Sequence, residues 1–516
     1  MFQVVVDDLA SDEVSVRIDA VKQVQSIIPS LEEPNMQELL NYLQNILEDE
    51  DEVLIALTDT LGSLLDAIKV KPQLGTPAIL SNIFKIVYGL LSAEETIVRD
   101  KCYNVLNLTL EKLVQAQSAL VPNILDQLNQ LANVLIKGDW FTHRMGACQT
   151  INLLMKTVGA VGVGNQNYIN SIMPLIPQIT ILCKDETPMV RRIICKFLSE
   201  ILQSTNKLQI STDELITDIL LLAKDEQDSV RLLSVEAITT IAQINKINGL
   251  PLQTLKQLIS DKSWRVRYCV AQQLVKLSDY TDATVLHEDL LPTLVNSLKD
   301  HEAEVRLPAC EALPGICAKL EKDVILQQLV PIVKEMASDN SAHVRAALAS
   351  HVVGLAPKLG KDETIDQLLP IFLKCLKDEN SDVRLNLISK MDQVNNVIGI
   401  DLLSECLLPA IVELAEDKQW RVRHAMIVHI PLLSQQLGSE FFDEKLSDLV
   451  YNWLQDPVHN IRQMTCECVL QVMKGFGMEW ALTNLFPKLM PLKKSEKYLY
   501  RLTFLNALTV ILNLCS

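Results

Sequence analysis

The sequence has little glycine and few aromatic residues, and each shortage excludes a class of fold. Only 16 of the 516 residues are glycine, which leaves little room for the tight turns of hairpins. Aromatic residues make up 5% of the chain, against 48% hydrophobic residues in total, so we expect a core of Leu, Ile, Val and Ala. These proportions are typical of an all-α protein.

Paired cysteines and long apolar runs are also missing. The 12 cysteines include no Cys-x-x-Cys pair, which predicts reduced, mostly buried thiols and no metal site. No apolar run approaches the ~18 residues of a membrane span, and the N-terminus lacks the basic segment and apolar core of a signal peptide. We therefore expect a cytoplasmic protein, with access to the nucleus left open, and no membrane partner.

Basic charge and catalytic motifs are scarce as well. The 64 acidic side chains outnumber the 47 basic ones and give a net charge of −17, which disfavours general binding to nucleic acid. His424 and His429 are not spaced as in HExxH, and the glycines between Gly159 and Asn165 lack both the GxGxxG spacing and a preceding strand. We expect a helix connector at 159–165, no catalysis and no cofactor.

What the sequence does contain is a pattern that recurs with a 39-residue period. An Asp stands six residues before an Arg, and we call this unit the Asp/Arg frame. The regular frames are Asp261/Arg267, Asp300/Arg306, Asp339/Arg345, Asp378/Arg384, Asp417/Arg423 and Asp456/Arg462, and the arginine series ends with Arg501. Six looser frames precede them, at Arg17, Leu54, Arg99, Arg144, Arg191 and Asp225/Arg231. Thirteen frames of this period indicate stacked repeats that bury their apolar faces against one another.

A second series predicts that each repeat is an antiparallel helix pair. A proline stands fourteen residues before the Arg, at Pro177, Pro292, Pro331, Pro370, Pro409 and Pro487. Its apolar neighbours have helical spacing, so we place the proline in or at the start of a first helix, which it bends. The Asp then lies in a short turn, and a second helix begins just before the Arg. After Arg345 the predicted apolar stripe of this helix is Leu348, Ala349, Val352 and Val353. Irregular spacing in the N-terminal half predicts insertions around 71–76, 115–123 and 159–167.

The recurring Asp and Arg favour a structural ladder. The Asp can cap the second helix or accept hydrogen bonds from turn amides. The Arg can reach an Asp of its own repeat or of an adjacent one, and the sequence does not decide between them. The alternative is a row of solvated surface charges, but such charges have no reason to keep a 39-residue period.

The pattern of Pro, Asp and Arg resembles HEAT repeats, and five strings resemble one family within that class. They are Gly138–Phe141, Thr187–Arg192, Asp225–Arg231, Asp261–Arg267 and Glu440–Lys445. They resemble the scaffold (A) regulatory subunit of protein phosphatase 2A. The resemblance implies a horseshoe-shaped α-solenoid over residues 1–516, without catalytic residues. It also implies that residues 1–320 bind a variable regulatory subunit, and that residues 400–516 bind the phosphatase catalytic subunit. The family carries fifteen repeats, so the last two are expected to be missing here.

The same resemblance assigns residues in the turns to the two partners. For the regulatory subunit they are Glu94, Glu95, Trp140, Phe141, Pro188, Met189, Arg192, Trp264 and Arg265. For the catalytic subunit they are Trp420, Arg421 and His459. The position three before the frame Arg holds mainly small or polar residues, so we expect Trp264 and Trp420 there to be exposed interface anchors. The alternative is that each Trp folds back over its own turn. Trp453 and Trp480 lie in helical stripes and are expected in the core.

Two further expectations come from the sequence. A nuclear transport receptor is another acidic helical solenoid, which would bind basic cargo, and it is the alternative function. The stretch from Arg501 onward carries few polar residues, so Phe504, Leu508 and Ile511 or their neighbours are expected to remain uncovered and to promote self-association or fraying.

Overall fold

The computed structural model describes residues 2–71, 74–163, 165–245, 251–399, 410 and 412–512. Within these residues the regular structure is helical, without a strand. The chain divides into two compact units, residues 1–282 and 283–516. No helix in the described part of the chain is both long and apolar enough to cross a membrane.

The thirteen frames correspond to thirteen second helices, which number the repeats from 1 to 13. In the first unit they are Val14–Ile27, Asp51–Val70, Thr96–Gln115, Phe141–Val161, Pro188–Lys207, Asp228–Asn245 and Trp264–Asp279. In the second unit they begin with Ala303–Cys317, Ala342–His351, Ser381–Ile388, Trp420–Phe441, His459–Phe476 and Tyr498–Leu512. Each begins three residues before the frame position. The all-α, HEAT-type architecture is thus confirmed.

First helices precede these elements. In the first unit they are Phe2–Leu9, Glu33–Asn45, Pro77–Ser92, Val121–Ile136, Gln166–Ile172 with Leu175–Cys183, Asp213–Leu222 and Leu252–Ile259. In the second unit their regular segments are Leu291–Leu298, Val330–Met336, Leu369–Leu376, Ser447–Trp453 and Phe486–Lys493. In repeat 11 the first helix is described only at 410 and 412–415, and the predicted Pro409 lies outside the described residues.

The prolines of the second unit follow a widened turn of the first helix. A π-helical turn precedes the regular segment at Leu286–Leu290, Ile325–Leu329, Thr364–Leu368, Phe442–Leu446 and Ala481–Leu485. Pro292, Pro331, Pro370 and Pro487 each lie in the first turn after it. A proline cannot donate the backbone hydrogen bond that would continue the α-helix. Repeat 12 has Asp448 at this place and keeps the same turn, so proline alone does not cause it.

Four glycines mark where the helical backbone that follows the frame is interrupted in repeats 9 to 12; in repeat 11 this kink at Gly438 lies inside the range Trp420–Phe441. Gly360, Gly399, Gly438 and Gly477 have φ between +85° and +90°, a conformation that favours glycine. A Cβ added to any of them would meet no atom within 4 Å. This series was not recognised in the sequence, although it has the same period as the Asp/Arg frames.

The core is formed by the apolar faces of neighbouring helix pairs. Second helices of successive repeats pack against each other within each unit. The predicted stripe of Leu348, Ala349, Val352 and Val353 is buried, although the α-helix gives way to a 3-10 turn at Val352–Leu355 before Pro357. The described cysteines carry no disulfide, and all are buried except the half-buried Cys269.

One local expectation is corrected, and a second is confirmed only for the neighbours of the residues that it named first. The connector expected at 159–165 begins only after Val161, because Gly159 lies inside the second helix of repeat 4; Gly164 lies outside the described residues. In the last described helix, Phe504 and Ile511 are buried and Leu508 is half-buried, because they face the preceding repeat. The exposed side chains are instead their neighbours Leu502, Leu505 and Leu512. Self-association stays a prediction.

Candidate functional site: an arginine ladder and the turns beside it

Most frame arginines hold two turns at once, as Arg345 shows. Its Nε and Nη2 donate to the two carboxylate oxygens of Asp378 in the next repeat, at 2.7 and 3.0 Å. Its Nη1 donates to the backbone carbonyl of Asp339 in its own turn, at 2.7 Å. Asp378 in turn accepts a hydrogen bond from the amide of Asn380. The Arg therefore fixes its own turn and positions the following one.

We call the ion pair between a frame Arg and the Asp of the next repeat a rung. The rungs are Arg17–Asp49, Arg144–Asp185, Arg191–Asp225 and Arg231–Asp261 in the first unit, and Arg306–Asp339, Arg345–Asp378, Arg384–Asp417 and Arg423–Asp456 in the second. The sequence left open whether the Arg pairs with the Asp of its own repeat or of an adjacent one. In these rungs the carboxylate belongs to the next repeat, and the Arg's own repeat contributes a backbone carbonyl.

The rungs are largely shielded from water. The arginine side chains are between 8% and 16% exposed, and the aspartates between 6% and 12%. Such exposure does not fit a row of solvated surface charges. Arg267 donates to the carbonyl of Asp261 at 2.8 Å, and Asp300 accepts from the amide of Glu302 at 3.0 Å, as in the other turns.

The rungs stabilise the ionised carboxylates. The hydrogen bond from Arg17 lowers the pKa of Asp49 below its ordinary value. For Asp261 and Asp378, burial acts to raise the pKa, but the hydrogen bonds from Arg231 and Arg345 and from the turn amides outweigh it, so that the pKa is lowered. These aspartates are therefore charged at neutral pH.

The series breaks in repeats 2 to 4. Leu54 occupies the frame position of repeat 2, and Ala93 stands in place of the Asp in repeat 3. Arg99 of repeat 3 is 2% exposed and donates to the carbonyls of Ala93 and Glu94 and to Thr96 Oγ1. Burial lowers its pKa. Gly138 stands where the next repeat would supply a carboxylate.

The turns beside the ladder expose the residues assigned to the regulatory subunit. Trp140 is 70% exposed, and Met189, Arg192, Glu94 and Glu95 are also exposed. Phe141 and Pro188 are half-buried because they begin their second helices. All lie at or near the first turn of a second helix, on the ladder side of the repeat. Their assignment to a partner stays a prediction.

Trp264 is partly exposed, as expected for an interface anchor, and it also packs against its own helix, as in the alternative. The residue is 38% exposed, and its ring packs edge-on against Tyr268, one helical turn later, with ring centroids 6.4 Å apart. The guanidinium carbon of Arg265 lies 5.8 Å from the ring centroid of Trp264. The ring is thus held along its own helix while keeping a water-facing surface, which reduces the entropy that a partner would have to remove.

Repeat 11 repeats this arrangement in the second unit. The Trp420 ring packs edge-on against His424 with centroids 6.1 Å apart, and Arg421 lies 5.5 Å from the Trp420 ring centroid. Trp420 is half-buried rather than fully exposed, whereas Arg421 is exposed. His459 is exposed at the start of the second helix of repeat 12. Tyr498 holds the corresponding position of repeat 13 and is exposed, and two further exposed apolar side chains near turns, Ile97 and Leu499, were not expected from the sequence.

The remaining two tryptophans differ. Trp453 is buried as expected, and its Nε1 donates to the carbonyl of Ala415 at 2.8 Å. Trp480 is only half-buried, because it packs edge-on against Phe442 and Phe476 at the edge of the repeat. Its Nε1 donates to Asp443 Oδ2 at 3.0 Å. Neither contributes to the exposed turns. No group of three metal-ligating side chains occurs among the residues that the structure describes.

Family models match the middle of the chain. A PPP2R1A-like HEAT repeat model matches residues 283–360, and a HEAT repeat model matches residues 216–314. Among solved structures, yeast importin-β (Kap95p) has a TM-score of 0.60 at 13% identity, over 99% of this chain and 68% of that one. The Kap95:Nup1 complex gives a TM-score of 0.61 at 14% identity, over 95% and 64% of the two chains. At these identities the likeness concerns the fold alone.

Curated relatives give a closer match. The A-type regulatory subunit of protein phosphatase PP2A from Schizosaccharomyces pombe is 39% identical over 298 residues, which are 55% of this chain and 46% of the relative. Its Saccharomyces cerevisiae counterpart is 35% identical over 300 residues, 55% and 44% of the two chains. The alignments thus span less than half the length of these relatives. The chain has a HEAT-type helical fold, and its resemblance to the A-type regulatory subunit of protein phosphatase 2A is confirmed over about 55% of its length.

Proposed function

We propose that this chain is a scaffold that brings a Ser/Thr phosphatase catalytic subunit together with a variable regulatory subunit. The observation that carries the proposal is the pair of Trp-Arg turns, Trp264-Arg265 and Trp420-Arg421, at the same position of their repeats. Large aromatic and Arg side chains are frequent anchors of protein interfaces. The relatives named as PP2A regulatory subunits support the identity of the partners.

The ladder explains how such turns can act as binding sites. Each rung fixes a turn through carbonyl and carboxylate contacts, so the residues beside it are presented with little freedom. We assign the turns of residues 1–320 to the regulatory subunit, and those of 400–516 to the catalytic subunit. A cytoplasmic location with access to the nucleus is part of the proposal, and cell fractionation would test it.

The scaffold role is proposed as non-catalytic. The relatives are named as regulatory subunits, and the conspicuous side chains of the described turns are an aromatic ring beside a guanidinium, which suits binding rather than bond breaking. A purified sample tested on a phosphopeptide should release phosphate only after the catalytic subunit is added.

Reconstitution with purified phosphatase subunits tests the proposal. The chain should co-elute with the catalytic subunit, and Trp420→Ala should weaken this complex. Ser381→Ala is the matched control, because Ser381 begins the second helix of repeat 10 at the position that Trp420 holds in repeat 11. Capture of a small GTPase and basic cargo, with no phosphatase subunit bound, would favour a nuclear transport receptor instead.

A further inference from the structure

Ser495 occupies the ladder position of repeat 13 that aspartate holds in repeats 8 to 12. In the second unit each rung joins an Arg to the Asp 33 residues later, as in Arg345–Asp378, Arg384–Asp417 and Arg423–Asp456. The residue at the same distance after Arg462 is Ser495. Its Oγ accepts a hydrogen bond from the amide of Lys497 at 3.3 Å, as Asp456 Oδ1 does from Val458 at 2.8 Å. Ser495 thus reproduces the turn of the Asp without its charge.

By the register of the other rungs, Arg462 is the arginine that would pair with this turn, and it has no acidic partner among the described residues of this unit. It is 5% exposed, and its Nη1 donates to the carbonyls of Asp456 and Pro457 at 2.7 and 3.1 Å. In the other rungs, Nε and Nη2 bind the carboxylate of the next repeat. Within the described residues of this unit, these two nitrogens of Arg462 have no hydrogen bond, and no carboxylate lies at ion-pair distance.

The break at Arg99 differs from the break at Arg462 in two respects. Arg99 satisfies its Nη2 with Thr96 Oγ1 at 3.0 Å, whereas the corresponding residue beside Arg462 is His459, which makes no such bond in the structure. A Cβ added to Gly138, which stands opposite Arg99, would lie 2.4 Å from His143 Cβ. No acidic side chain therefore fits there without a shift. At Ser495 a side chain with a modifiable oxygen is already in place.

We propose that Ser495 is a phosphorylation site and that its phosphate completes the rung with Arg462. A protein kinase would transfer the γ-phosphoryl group of ATP to Ser495 Oγ. The new Oγ–P bond replaces the bond to the leaving oxygen of ADP, and the hydroxyl proton goes to the kinase's base. The phosphate carries about 1.5 to 2 negative charges at neutral pH and offers three acceptor oxygens, which suit the fork of an arginine.

The surroundings of Ser495 are compatible with a kinase substrate. Ser495 is half-buried, and its neighbours Lys493, Lys494, Glu496 and Lys497 are exposed. The three lysines point to a kinase that accepts basic residues around its target serine. The modification would couple a signal to the stacking of repeat 13 on repeat 12, because the rung is the charged contact between successive turns. The proposal does not depend on the identity of the protein's partners.

Hydrogen exchange on the full chain with phosphoserine incorporated at position 495 tests the proposal. We expect amides of 478–512 to exchange about tenfold more slowly than in the unmodified protein, because a charge-assisted contact closes the last interface. Ser495→Asp should give a smaller effect in the same direction. The protection should vanish with Arg462→Met, which keeps the aliphatic stem; Arg462→Lys, which keeps the charge without the fork, should retain part of it.

Four results would overturn the proposal. Equal exchange with and without phosphoserine would show that the rung does not form. Equal protection from Lys494→Asp, which also changes the charge of this turn by two, would reduce the effect to net charge. Inorganic phosphate that protects the unmodified chain as well would make Arg462 a site for a free anion. Incubation with ATP and a kinase of basic specificity, followed by mass spectrometry, should place phosphate on Ser495 and none in Ser495→Ala; an unmodified Ser495 would also contradict the assignment.

Discussion

The frame arginine is the residue on which the repeats depend, because one side chain serves two turns. The position of Arg345 is fixed by the carbonyl of Asp339 in its own repeat, and its other nitrogens bind Asp378 in the next. Lys could supply charge but not this planar fork. The 39-residue period predicted the ladder, whereas the choice of partner depended on packing that the sequence does not reveal.

Removing one such arginine should destabilise its unit. We expect Arg345→Ala to lower the free energy of unfolding by about 1–3 kcal/mol, because Asp378 would be left as a largely buried carboxylate without its partner. Arg501→Ala is the control, since Arg501 is exposed and, among the described residues, donates only to the carbonyls of Ser495 and Glu496. Urea unfolding followed by circular dichroism measures both; equal effects would show that the inter-repeat contact adds nothing.

Acid should weaken the same contacts. The pKa of Asp49, Asp261 and Asp378 is lowered in the folded protein, so the unfolded chain binds protons more readily. Their contribution to stability is therefore complete above the ordinary Asp pKa of about 4 and is lost as the pH falls below it. Unfolding midpoints measured from pH 6 downward, to about pH 3, should fall steeply, and Asp378→Asn should show a shallower dependence. Parallel curves would contradict this account.

At the scale of single elements, glycine ends the second helices where the chain reverses into the next repeat. Gly477 has φ +90° and ψ 170°, and its amide donates to the carbonyl of Met473 at 2.8 Å. A side chain would meet no neighbour there, so the requirement comes from the backbone alone. Residue counts gave no hint of this role, since the four glycines become visible only once their 39-residue spacing is compared with the frames.

Gly477→Ala should therefore be costly despite the open space around it. We expect a loss of about 1–3 kcal/mol from forcing an alanine into this conformation. Gly475→Ala is the matched control two residues earlier, inside the helix, where the new methyl would lie 3.2 Å from Gln435 Cγ and alanine favours the helix. Thermal unfolding of both variants should separate them, and a similar loss in both would assign the effect to packing.

The helix pairs themselves were predictable, and their irregularities were not. Apolar spacing placed the stripe of Leu348, Ala349, Val352 and Val353 in the core, where the structure has it. The helix changes to a 3-10 turn at Val352–Leu355, just before Pro357. The apolar spacing does not predict this local effect of a proline. Which face of the last described helix is covered depends on how the preceding repeat packs against it. The burial of Phe504 could therefore not be predicted from composition.

For the whole molecule, the two Trp-Arg turns should act on different partners. Positions 264 and 420 are separated by four periods of the repeat and lie in different units. Trp264→Ala and Arg265→Glu should weaken binding of the regulatory subunit by about tenfold or more while sparing the catalytic subunit, and Trp420→Ala should do the reverse. Calorimetric titration with each purified subunit measures both affinities. Equal losses for both partners in either variant would contradict the division.

Because the rungs are alike, one whole repeat can in principle be removed while its neighbours still form a rung. Deleting residues 345–383, one full period of the repeat, would join Val344 to Arg384 and preserve the Arg306–Asp339 and Arg384–Asp417 rungs. We expect such a shortened chain to fold, as judged by a cooperative melt, whereas deleting 345–379 should not, because the frame is then out of phase. If this holds, whole repeats can be lost or duplicated while the contacts between neighbouring repeats are kept. The gene could then change the number of repeats between the proposed binding turns without new contacts between repeats.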